Sequence, residues 1–136
     1  MTIDAGVADA LRKASTATIT TILLKQGIRR IWMEGPKPLP NAAGKRMVGP
    51  AFTLRFVPAR EDLATPESWS SPKSTRAAIE VMPEGAVVVV GAMGVKGAGI
   101  FGDILCARMV RRGVQALVTD GVVRDLAGIL ATGLPV

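Results

Sequence analysis

Two short apolar runs, AVVVV (86–90) and VQALVT (114–119), most constrain what this chain can fold into. A continuous β-branched run suits a strand covered on both faces. Between the runs lie a glycine-rich stretch, GAMGVKGAGIFG (91–102), and an amphipathic segment from Asp103 to Arg112 that Gly113 stops. A connection of this length cannot be a hairpin, so the two strands pair in parallel around a helix. Such crossovers are right-handed almost without exception. The class is therefore α/β, with a βαβ unit over 86–119. Both the glycine loop and the turn DGVVRD (120–125) then leave the C-terminal ends of adjacent parallel strands, the edge where open α/β sheets bind ligands.

The rest of the chain reads around that unit. Residues 4–14 form a short helix, with Val7, Ala10 and Leu11 at helical spacing. Ser15 or Thr16 caps a second helix, ATITTILLKQ (17–26), which Gly27 ends. Residues 33–44 are a Pro/Gly loop. MVGPAFTLRFV (47–57) alternates as a strand, and Pro50 confines its first half to an edge or an irregular piece. Residues 58–72 form an exposed polar loop, a candidate substrate lid. Lys73 to Val81 is a short helix ended by Pro83, and a last helix near Leu126–Ala131 precedes GLPV.

Composition excludes several chemistries. With 136 residues the chain has the length of one domain. It contains no histidine, which removes a Ser-His-Asp triad and a His-ligated zinc site. Cys106 is the only cysteine, so no internal disulfide forms, and its apolar neighbours favour a buried inert thiol. Aromatic residues are 4%, so the core is built from Val, Ile, Leu, Ala and Met. No signal-peptide pattern and no membrane-length apolar run is present; a cytoplasmic protein is the expectation. The net charge of +6 is scattered and not interleaved with aromatics. That disfavours nucleic acid and suits a small anionic substrate.

The candidate site residues each carry two readings. The glycines of 91–102 allow close backbone approach to a ligand. The helix after them presents amides, including those of Ile104 and Leu105, toward which its dipole draws an anion. The simpler reading is a tightly shaped loop. The spacing lacks the Gly-Lys-Ser/Thr of a phosphate loop. Asp103 in a first helical turn stabilises that helix by about 0.3–1 kcal/mol with no further role; its position at the ligand edge raises a second one. Arg124 offers a planar fork for a carboxylate, and Asp125 a hard oxygen ligand for Mg²⁺ or Mn²⁺. Alternatively they are a surface pair capping the final helix. Asp120 is ordinary turn chemistry first, and Lys96 can line an anion site.

Taken together, the run GAGIFGDILCARMVRRGVQALVTDGVVRD (97–125) resembles the signature of the RraA-like family. That family includes the 4-hydroxy-4-methyl-2-oxoglutarate / 4-carboxy-4-hydroxy-2-oxoadipate aldolases and regulators of ribonuclease activity. STATITTILLKQG (15–27) and MVGPAFTLRFVPAREDL (47–63) are similar to the regulator branch. The resemblance implies a layered β/β/α swivelling-domain fold, a homotrimer or homohexamer, and class II aldolase chemistry that releases pyruvate from a 4-hydroxy-2-oxo dicarboxylic acid. Oxaloacetate decarboxylation is an implied side reaction. It implies that Arg124 binds the pyruvyl carboxylate together with Gly102 and the amides of Ile104 and Leu105. It further implies that Asp125 holds Mg²⁺ or Mn²⁺ and Asp103 bonds the metal's waters. The alternative function is non-catalytic binding and inhibition of a ribonuclease. Against the family pattern, GLPV stands where another strand is expected, so the expectation is a single RraA-like domain over 1–136, truncated at its C-terminus.

Overall fold

The computed structural model describes residues 3–136. Helix α1 (Ala5–Lys13) starts at Asp4, whose side chain accepts from the Val7 amide at 3.1 Å. Helix α2 (Thr16–Lys25) starts at Ser15, whose hydroxyl accepts from the Thr18 amide at 3.0 Å. Each cap satisfies one of the amides that a helix start leaves without an internal partner. Strand β1 (Ala51–Arg55) comes next, then a single 3₁₀ helix at Pro66–Ser70 and helix α3 (Thr75–Glu80). The remainder is β2 (Val87–Gly91), β3 (Gly99–Phe101), α4 (Asp103–Arg111), β4 (Ala116–Thr119), β5 (Val122–Val123) and α5 (Leu126–Thr132).

β1, β2 and β4 form a three-stranded parallel sheet in the order β1-β2-β4, with Val88 opposite both Phe52 and Leu117. The expected parallel crossover is thus present. β1 is an edge strand, so Pro50 at its start removes no ladder bond; its carbonyl still accepts from the Val87 amide at 2.9 Å. The core lies between this sheet and the helices, formed by Ile79, Met82, Val88, Val90, Phe101, Cys106, Met109, Val114, Leu117, Ile129 and Leu134. Phe56 meets Phe101 edge-on, ring centroids 6.4 Å apart.

Three sequence expectations change. Val88 and Val90 are fully buried, but Val87 and Val89 are only half-buried, so β2 is not covered equally on both faces. The glycine stretch and the DGVVRD turn are not wholly irregular. β3 and β5, one from each, pair in parallel as a second, two-stranded sheet. The polar segment 58–72 contains the 3₁₀ turn. At the C-terminal end, the Pro135 carbonyl accepts from the Leu117 amide and the Val136 carbonyl from the Leu39 amide, so this segment runs beside β4. No helix among the described residues is long and apolar enough to cross a membrane.

Candidate active site

The β3–β5 pairing brings the two sequence motifs together. The Arg124 amide donates to the Phe101 carbonyl at 2.9 Å, which sets the start of α4 beside Arg124 and Asp125. Gly102 is the N-cap of α4 and lies against both side chains: a Cβ there would stand 2.9 Å from Asp125 Oδ2 and 3.2 Å from Arg124 Nε. Glycine thus leaves room for both side chains to lie against the backbone. Any side chain at 102 would displace the two groups that the sequence singles out.

Asp125 has the least ordinary backbone of the set. It occupies the N-cap position of α5, yet its φ of 57° and ψ of 46° are left-handed, and its carboxylate makes no capping bond. Most non-glycine residues pay roughly 1–2 kcal/mol for that conformation and aspartate less; residues held in it are found at functional sites. The reading of Arg124–Asp125 as a capping pair is thus not what the geometry shows. Arg124 Nε and Asp125 Oδ2 are 3.8 Å apart, with both side chains more than half exposed. At that distance and exposure the pair contributes little to stability, and both groups face solvent.

Asp103 occupies the first turn of α4 and packs against α5, where a Cβ at Gly128 would stand 2.6 Å from its own Cβ. Here one expectation is corrected. The Ile104 amide is not free: it donates to Asp103 Oδ1 at 2.7 Å. The first helical bond of α4 runs from the Cys106 amide to the Gly102 carbonyl, so the Leu105 amide stays outside the ladder. Of these two amides, that of Leu105 is left to an anion, whereas that of Ile104 is already taken by Asp103. Cys106 is buried, as expected, and burial followed by the nearby Asp103 charge pushes its thiol up to about 11.

A divalent cation is compatible with these donors. Asp125 and Asp103 supply two carboxylates on adjoining segments; among the described residues no third acidic or cysteine side chain joins them. Mg²⁺ takes one or two protein carboxylates and keeps several waters, so a pair without a closed cage fits a hydrated ion.

Asp120 lies apart from this group. Its carboxylate accepts from the Ala92 amide at 2.5 Å and the Gly94 amide at 3.0 Å. Those bonds, the Ala92 one foremost, hold its carboxyl below the usual carboxylate range. The local hydrogen-bonding role expected from sequence is therefore present, but its partners lie far away in the chain. Lys96 and Asp120 border a cavity of about 550 Å³ together with Lys37, Leu39, Leu117 and Val123. None of Asp103, Arg124 and Asp125 lines it, although Val123, which precedes Arg124, does.

The fold, with paired βα-type loops at one strand edge, and the Gly-Asp/Arg-Asp cluster define a class. The sequence profile of the RraA-like family (Aldolase/RraA) matches residues 5–136, and the chain belongs to that family. Among solved structures it is similar to Streptomyces coelicolor RraAS2, described as an unusual member of the RNase ES inhibitor RraA protein family. The two are 34% identical with a TM-score of 0.84, over 97% of this chain and 62% of that one. An uncharacterized protein from Pseudomonas syringae pv. tomato is 25% identical, with a TM-score of 0.75 over 99% of this chain and 57% of its own. Protein DlpA of Legionella pneumophila is 29% identical over 97 residues, 71% of this chain and 15% of that protein. The chain thus spans less than two thirds of the length of the relatives it matches. Proteins of this family are typically oligomeric.

Proposed function

We propose that this chain carries the metal-and-anion half of a pyruvate-releasing class II aldolase site, acting on a 4-hydroxy-2-oxo dicarboxylic acid in a homotrimer or homohexamer. The observation that supports this most is Asp125: a left-handed residue whose carboxylate caps nothing and lies over Gly102 beside Arg124. In this reading the Arg124 guanidinium binds the pyruvyl carboxylate by its planar fork. The Leu105 amide and the dipole of α4 add to the hold. Asp125 would ligate Mg²⁺ or Mn²⁺, and Asp103 would bond the ion's waters. Such an ion supplies Lewis acidity toward the keto-acid carbonyl oxygen. The reaction breaks the bond between the keto acid's third and fourth carbons. The hydroxyl of the fourth carbon loses its proton and becomes a carbonyl, the bonding pair passes to the pyruvyl fragment, and a proton at its third carbon completes pyruvate.

The resemblance to a protein described within the RNase ES inhibitor RraA family favours a second reading, a non-catalytic protein that binds a ribonuclease. The two separate in one experiment. Pyruvate release is followed by a coupled assay with and without EDTA, for the wild type and for Asp125→Ala. The aldolase reading expects loss with EDTA and, in the variant, a fall beyond the roughly 10–100-fold that loss of an outer-shell partner costs. Release that survives both treatments sinks the metal role. No release at all, together with ribonuclease inhibition that Asp125→Ala leaves intact, selects the second reading.

A further inference from the structure

The turn Asp120–Gly121 touches both ends of the excursion between β2 and β3. At the near end, the Asp120 carboxylate accepts from the amides of Ala92 and Gly94. Between them Met93 is left-handed at φ 57° and Gly94 at φ 63°, a combination that brings the two amides onto one carboxylate. Gly121 lies close to a side chain at each end: a Cβ at 121 would stand 2.7 Å from Ala92 Cβ at the near end and 3.2 Å from Ile100 Cδ1 at the far end. An ordinary turn aspartate bonds an amide two residues on. Asp120 reaches residues 26 and 28 positions away, and the neighbouring Gly121 amide donates to Thr119 Oγ1.

What this fastening controls follows from chain order. β3 ends at Phe101, and Gly102 and Asp103 come directly after it. Phe101 is tied to Arg124 through the bond from the Arg124 amide. We propose that Asp120 is a positioning residue: by holding Ala92 and Gly94 it sets the path of the excursion and so where β3 delivers Gly102 and Asp103 against Arg124 and Asp125. This rests on the aldolase reading of that cluster. Asp120 touches no reacting group in this account; it acts through the glycine loop.

The test uses amide-resolved NMR of the full chain with pyruvate as the probe, on the wild type, Asp120→Asn and Asp120→Glu. Asn keeps one acceptor oxygen and turns an NH₂ toward a donor. Glu keeps both oxygens on a longer arm. The expected result for Asp120→Asn is faster hydrogen exchange at Gly94 and roughly tenfold weaker pyruvate binding, read at the Leu105 amide, in keeping with one lost bond to a charged group. Asp120→Glu recovers part of that affinity, which a merely structural loss would not. Unchanged Gly94 exchange, or faster exchange with unchanged pyruvate affinity, overturns the proposal. If the wild type binds no pyruvate, the aldolase reading fails separately. The Gly102 and Arg124 amide resonances then decide: displaced in the variant they support the positioning role, and unmoved they refute it. Should the Asn variant not fold, the same readings on Asp120→Glu decide.

Discussion

Helices α2 and α4 are nearly the same length, ten and nine residues, yet they are held in opposite ways. α2 has a side-chain cap at Ser15 and buries none of its residues. α4 has glycine as its N-cap, no side-chain cap, and buries Cys106 and Met109 completely. A helix this short is marginal on its own. Within the described chain α2 therefore depends on local bonds, whereas α4 depends on packing. The difference bears on function. Because packing holds α4 in place, its first-turn amides need not all be consumed by a cap, and the uncapped start is the one that faces Arg124 and Asp125.

Substitutions can break this contrast. The largest effect is expected at Met109→Ala, which opens a cavity in the core and costs about 2–5 kcal/mol. Leu24→Ala, on an exposed position of α2, is expected to stay within about 0.5 kcal/mol. Denaturant midpoints for the two variants measure the contrast, and equal losses would mean that α2 is packed after all. Next in size is Ser15→Ala, which removes a cap worth about 1 kcal/mol. That loss should show as faster amide exchange along α2, with exchange in β2 and α4 unaffected. The smallest effect sharpens the comparison through pH. A serine cap does not titrate, but the Asp120 carboxylate that holds the approach to α4 does. Its carboxyl is lowered by the Ala92 and Gly94 amides. The stabilisation is therefore fully present above the ordinary carboxylate value of about 4 and lost as pH falls through the lower folded value. The Gly94 amide resonance should hold steady from neutral pH to about 4 and move only below it, while the Thr18 amide stays put.

Much of this was legible in the sequence, where each signal was local. The β-branched run predicts β2, the Ser15 cap predicts α2, and the apolar spacing with Gly113 predicts α4. Parallel strand order places Gly102-Asp103 and Arg124-Asp125 at one sheet edge; their contact comes from the β3–β5 pairing. What was not legible depends on partners distant in the chain. Gly99–Phe101 and Val122–Val123 are too short, and the first too rich in glycine, to read as strands; only pairing with each other makes them so. Asp120 looks like turn punctuation because the two amides it binds belong to another loop. The left-handed Asp125 gives no sign in the sequence, since aspartate at a helix start ordinarily means a cap. The occupied Ile104 amide is a side-chain rotamer choice that no pattern encodes.

The hold of Asp120 on residues 92 and 94, with β3 paired to β5 beyond them, has a further consequence, for how such a site can change. Residues 95–98 project between two fixed points and are exposed, with Lys96 among them. The entropy of closing a loop grows only slowly with its length, by about 0.6 kcal/mol for each doubling. Substitutions and insertions at that tip therefore leave the anchors, β3 and the helix start where they are. The part of the chain beside the cavity is free to diversify, while the part beside Arg124 is held to one geometry.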